Sequence, residues 1–103
     1  MRILFYDAKR YDIESFNGEK ANYPQIELEY LETDLNVRTA KLAGGYDGIC
    51  GFVSSNLGEE VLKELATQNV RFVLLRCAGY NNVDLKAAKE YGITVFRVPG
   101  YSP

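Results

Sequence analysis

Exposed backbone amides are the chemical feature that this sequence offers most clearly, and we expect them in residues 78–82, which read A-G-Y-N-N. This segment follows an apolar run and precedes a pattern typical of a helix. A glycine at such a turn lets a ligand approach the main chain, and N–H groups near a helix start can hold a carboxylate without a charged side chain. The same residues also suit a plain turn, in which Gly supplies backbone freedom and Asn supplies hydrogen bonds. The pattern alone leaves both interpretations open.

Two further segments follow apolar runs and carry groups that could face a ligand. Residues 98–103 read V-P-G-Y-S-P, where Ser102 before Pro103 is typical of a helix start and Tyr101 would present its hydroxyl at the end of a strand. Residues 53–56 read V-S-S-N, and Phe52 just before them could form the wall of a pocket. Alternatively, Tyr101 packs on the sheet edge, Phe52 belongs to the core, and the serines only cap the next helix.

Several kinds of catalytic site are disfavoured by what the sequence lacks. It contains no histidine, the commonest general base near neutral pH and the commonest metal ligand. Cys50 and Cys77 are far apart in apolar runs, so we expect buried reduced thiols and no metal site. Neither a G-x-x-x-x-G-K-[ST] phosphate loop nor a G-x-G-x-x-G dinucleotide fingerprint occurs. Asp7 ends the first apolar run, as in phosphoacceptor receiver domains, but residues 53–55 lack the acid that such a domain needs there.

Length and composition indicate one ordinary globular domain. The 103 residues carry a net charge of −2, which argues against a nucleic-acid surface, since such a surface normally shows a basic stripe. No apolar run approaches the roughly 20 residues of a membrane-spanning helix. The first apolar run is short and ends at Asp7, so it predicts a strand and not a signal peptide. We therefore expect a cytoplasmic protein that binds neither nucleic acid nor membrane.

Alternating strand-like and helix-like patterns predict an α/β fold. Strands are expected at residues 3–6, 26–31, 48–53, 72–75 and 94–98, and helices at 58–68 and 84–91. A weak helix is expected at 9–20, and a short one capped by Thr33 or Asp34 should run to Leu42 before Gly44 and Gly45. Such alternation implies right-handed crossovers and a parallel sheet. We predict a flavodoxin-like three-layer domain with a five-stranded sheet in the order 2-1-3-4-5, with 48–53 central and 26–31 at an edge.

The end of the chain carries a family resemblance. Residues 76–95, R-C-A-G-Y-N-N-V-D-L-K-A-A-K-E-Y-G-I-T-V, are followed by V-P-G-Y-S-P at 98–103. Together they resemble the N-terminal catalytic, substrate-binding segment of NAD-dependent D-2-hydroxyacid dehydrogenases, closest to the D-lactate dehydrogenase branch. Before residue 76 the likeness is mainly one of strand and helix pattern, apart from D-G-I-C-G-F-V at 47–53. The resemblance covers about the first third of such an enzyme.

The resemblance implies reduction of a 2-keto acid such as pyruvate to the D-2-hydroxy acid with NADH. By similarity, the amides of Ala78 and Gly79 would hold the substrate carboxylate. Tyr101 would line the same pocket, and Phe52 would bound the side-chain end of the substrate. The role of Arg76 is open, because it does not correspond to the catalytic arginine of the family.

The resemblance also implies which parts lie elsewhere. The catalytic arginine, glutamate and histidine of the family and its glycine-rich NAD loop belong to later segments, so we expect no catalytic and no cofactor-binding residue in residues 1–103. This segment should be inactive alone, NAD should be bound by another domain, and the full-length enzyme should be a homodimer. Two alternatives stay open: a stand-alone flavodoxin-like binding module without catalysis, and an enzyme of the same family acting on a bulkier 2-keto acid.

Overall fold

The computed structural model describes residues 1–10, 13–14, 25–51, 57–75 and 83–97. Within these ranges the strands are β1 (Arg2–Phe5), β2 (Glu27–Tyr30), β3 (Gly48–Gly51), β4 (Phe72–Leu75) and β5 (Thr94–Arg97). The helices are α1 (Glu59–Thr67), α2 (Leu85–Glu90) and a short 3-10 helix at Thr39–Ala43. Strands and helices thus alternate along the chain as the sequence pattern predicts.

The strands form one parallel sheet in the order β2-β1-β3-β4-β5, which confirms the predicted topology. Every residue of β3 is buried, as a central strand with helices on both sides requires. The edge strand β2 instead alternates, with Glu27 and Glu29 exposed and Leu28 and Tyr30 half-buried. The predicted central and edge strands are therefore both confirmed.

The two faces of the sheet are covered by different parts of the chain. The 3-10 helix, α1 and α2 pack on one face, where the largest buried side chains include Tyr6, Leu35, Ile49 and Leu62. The opposite face carries a smaller cluster that consists of Ile3, Phe5, Ala8 and Cys50. Ile13, which is itself helical, packs against this cluster. Described helical residues therefore lie on both sides of the sheet, as a three-layer fold requires.

Two helices begin and end where their sequences indicate. Helix α1 starts after Gly58 and buries Val61, Leu62 and Leu65 while Glu59 faces solvent. Helix α2 starts after Asp84, whose side chain accepts a hydrogen bond from the Ala87 N–H. Gly92 follows α2 with φ 73°, a backbone conformation that favours glycine over other residues.

The segment before the 3-10 helix differs from the prediction. Neither Thr33 nor Asp34 caps a helix with its side chain. Asn36 accepts hydrogen bonds at Oδ1 from the N–H groups of Arg38 (2.9 Å) and Thr39 (3.0 Å), and the helix starts only at Thr39. Leu35 is buried in the core, which holds this stretch in place as a turn. An asparagine side chain that bonds the backbone just ahead competes with helix formation, so the helix is shorter and tighter than the pattern predicts.

Other predicted boundaries are only partly covered by the described residues. Gly45 has φ 90°, in agreement with a glycine break after the 3-10 helix. The predicted helix at 9–20 is described only at residues 9, 10, 13 and 14, where Ile13 N–H donates to the Lys9 carbonyl over 3.1 Å. Residues 52 and 53 of the third predicted strand and residue 98 of the fifth lie outside the described ranges.

A charged cluster holds the edge strand β2 to the neighbouring strand β1. Arg2 Nη2 lies 3.0 Å from Glu29 Oε1, and the guanidinium carbon of Arg2 lies 4.5 Å from the centroid of the Tyr46 ring. The Tyr46 hydroxyl donates a hydrogen bond to Glu29 Oε2. The Tyr46 hydroxyl and, second, the Arg2 guanidinium hold the pKa of Glu29 below its usual range.

We expect Glu29→Gln to weaken the fold at neutral pH and to have a diminishing effect in acid. A carboxylate whose pKa is lowered by folding stabilises the folded state above its unfolded-chain pKa of about 4.3, and that contribution is lost as pH falls through the folded-state pKa. The check is the thermal unfolding midpoint of the whole protein between neutral pH and pH of about 3. Glu27→Gln is the matched control, because Glu27 is more exposed and reaches Arg2 only at 3.4 Å. If the unfolding midpoints of wild type and Glu29→Gln changed with pH in parallel, the assignment of a lowered pKa to Glu29 would be contradicted.

Candidate functional site at the carboxyl edge of the sheet

The three strands that precede the predicted binding segments end side by side. Gly51 of β3 pairs with Leu75 of β4, and Leu75 pairs with Arg97 of β5. In parallel sheets ligands collect beyond the carboxyl ends of strands. The neighbouring ends of β3, β4 and β5 are therefore the points in the chain that precede residues 52–56, 76–82 and 98–103.

The predicted binding residues themselves fall within those three segments. Phe52, Ala78, Gly79 and Tyr101 lie outside the described residues, and so do Arg76 and Cys77. Their assignment to the substrate pocket stays a prediction. The described residues fix where residues 52–56 and 76–82 begin and end, and where residues 98–103 begin.

A second contact joins two of these segments where they re-enter the described fold. Leu57 and Val83 form an isolated parallel bridge, and the Asp84 N–H donates to the Leu57 carbonyl over 3.0 Å. Leu57 is completely buried. Residues 52–56 and 76–82 are therefore bounded by paired backbone at both ends.

The end of β1 lies beside the same edge. The Tyr6 N–H donates to the Cys50 carbonyl over 2.9 Å, and the Asp7 N–H donates to the Thr33 carbonyl over 2.8 Å. Asp7 has φ 52° and its carboxylate lies 3.0 Å from Lys9 Nζ. The described residues contain no group of three or more Cys, Asp or Glu side chains that could hold a metal ion.

The turn after β1 differs from the one that a dinucleotide-binding fold requires. A dinucleotide-binding fold needs glycines at the first strand-to-helix turn so that the pyrophosphate can approach the backbone. Here that turn carries Asp7, Ala8 and Lys9, with the negative side chain of Asp7 paired to Lys9. A pyrophosphate would meet the Asp7 carboxylate at this place, so this turn does not suit a dinucleotide.

Two buried groups near this edge have structural roles. The Tyr6 hydroxyl donates to the Thr39 carbonyl over 2.6 Å and ties the 3-10 helix to β1, and burial raises the pKa of Tyr6. Cys50 is buried, as the sequence predicts, and Cys77 lies outside the described residues. The apolar run around Tyr6 gave no sign of its hydroxyl bond, because that bond depends on a carbonyl 33 positions away in the chain.

Comparison with known proteins gives the family. The family model described as "D-isomer specific 2-hydroxyacid dehydrogenase, catalytic domain" matches residues 3–103. The chain belongs to this family. Its membership confirms the resemblance seen in residues 76–103.

The relatives are much longer than this chain. It is 48% identical over 103 residues to 2-hydroxyacid dehydrogenase homolog 1 of Schizosaccharomyces pombe, covering 100% of this chain and 31% of the relative. The solved D-lactate dehydrogenase of Salmonella matches with a TM-score of 0.93 and 43% identity, over 100% of this chain and 31% of that one. D-lactate dehydrogenase from Lactobacillus jensenii, solved with NAD⁺, matches with a TM-score of 0.84 and 28% identity, over 100% and 31%. The chain thus spans about one third of the length of these relatives.

Among the described residues, no helix combines the length and the apolar character needed to cross a membrane. The helices α1 and α2 have nine and six residues.

Proposed function

We propose that these residues belong to an NAD-dependent dehydrogenase that interconverts a 2-keto acid, pyruvate first, and the D-2-hydroxy acid. The observation that carries this proposal is the family match over residues 3–103 together with 43% identity to a D-lactate dehydrogenase. The reaction consumes one 2-keto acid, one NADH and one proton, and it yields the 2-hydroxy acid and NAD⁺. The solved relative that carries NAD⁺ supports the choice of cofactor.

This segment is proposed to bind and orient the substrate. The amides of Ala78 and Gly79 would donate hydrogen bonds to the carboxylate, Tyr101 would contact the substrate in the same pocket, and Phe52 would bound its side chain. The adjacent ends of β3, β4 and β5 support this arrangement, because the sequence places these residues just beyond them. A carboxylate held by fixed amides keeps the keto carbon in one orientation, and such orientation can lower a barrier by several kcal/mol.

The alternative of a stand-alone binding module loses its support with the family match. The homodimeric state and the cytoplasmic location expected of the full-length enzyme stay predictions. An enzyme acting on a bulkier 2-keto acid is the remaining competitor, and it differs from the proposal only in the size of the side-chain pocket.

The direct test is the activity of the full-length protein. We expect it to oxidise NADH when pyruvate is added and to release D-lactate, identified with a stereospecific assay. Residues 1–103 expressed alone should show no turnover above a mock preparation. Release of the L-isomer, or no reduction of any 2-keto acid by the full-length protein, would refute the proposal.

We expect Phe52→Ala in the full-length enzyme to shift preference toward branched 2-keto acids. Removing the ring enlarges the pocket, and pocket volume discriminates between apolar groups by about tenfold or more. The measurement is the ratio of kcat/KM for pyruvate to kcat/KM for a branched keto acid. Phe96→Ala is the matched control, because Phe96 is 49% exposed on a sheet face. If Phe52→Ala and Phe96→Ala gave the same ratio of kcat/KM values, the assignment of Phe52 to the pocket would fail.

A further inference from the structure

We draw no further inference here: the strongest candidate, the apolar groove between α2 and the edge strand β5 where Leu85 lies exposed, is an unpartnered surface, and nothing in the described residues shows what covers it.

Discussion

Replacing Gly48 by alanine should destabilise the folded protein by about 1–3 kcal/mol, the usual cost of forcing an extra carbon into a packed site. A Cβ on Gly48 would lie 2.2 Å from Cε2 and 2.4 Å from Cζ of Phe72. The two residues stand opposite each other in the pairing of β3 with β4, so the ring lies directly over the glycine. Because Phe72 also makes an edge contact with Phe96, the ring cannot move aside without losing packing.

The expected loss can be traced to the ring by a double-mutant cycle. The midpoint of thermal unfolding is compared for Gly48→Ala in the wild-type protein and in a Phe72→Ala background, both as full-length protein. We expect the alanine at position 48 to cost clearly less once the ring is gone, since the two side chains compete for one space. An equal loss in both backgrounds would show that the glycine is needed for some other reason.

The sheet order could be predicted because burial leaves a direct trace in the sequence. The apolar residues of β3 indicated a strand covered on both faces, and the alternating glutamates of β2 indicated an edge. The ends of α2 were equally predictable, since Asp84 and Gly92 have backbone preferences that act locally. Each of these features depends on residues close together in the chain.

The features that could not be predicted depend on partners far away in the chain or on a local side chain that competes with the helix for backbone N–H groups. The late start of the 3-10 helix follows from Asn36 bonding the backbone ahead of it while Leu35 is held in the core. The bond between the Asp84 N–H and Leu57 joins residues on two different strand-to-helix connections. Periodicity describes one element at a time, so it carries no information about which connection touches which.

The candidate site could be predicted only in part from the sequence. The sequence predicts binding segments directly after β3, β4 and β5, and the pairing of Gly51, Leu75 and Arg97 brings the ends of those strands together. Two of the residues proposed for the pocket, Ala78 and Gly79, would however bind only through main-chain N–H groups. An amide is present at almost every residue, so only the family resemblance singled out Ala78 and Gly79. Kinetic measurements on variants, and not the sequence pattern, must decide whether Ala78 and Gly79 hold the carboxylate.

Gly79→Pro should lower kcat/KM for pyruvate by about 100-fold in the full-length enzyme, which corresponds to a loss of a few kcal/mol in transition-state binding. Proline removes one N–H donor and restricts the turn that presents the others. The carboxylate is charged, and a hydrogen bond to a charged group contributes more than a neutral one. The effect should therefore exceed that of Tyr101→Phe, which removes a single hydroxyl and should cost about 1 kcal/mol.

Gly79→Ala is the control that isolates the donor, because alanine keeps the N–H and adds only a methyl group. If the amide holds the carboxylate, Gly79→Ala should retain much more activity than Gly79→Pro, and both variants should keep the wild-type KM for NADH. The loss should also be specific to the acid end of the substrate, so Phe52→Ala and Gly79→Pro should add in free energy if they act on opposite ends of one molecule. Wild-type kcat/KM in Gly79→Pro would place the carboxylate somewhere else, and the assignment of Ala78 and Gly79 would then fail.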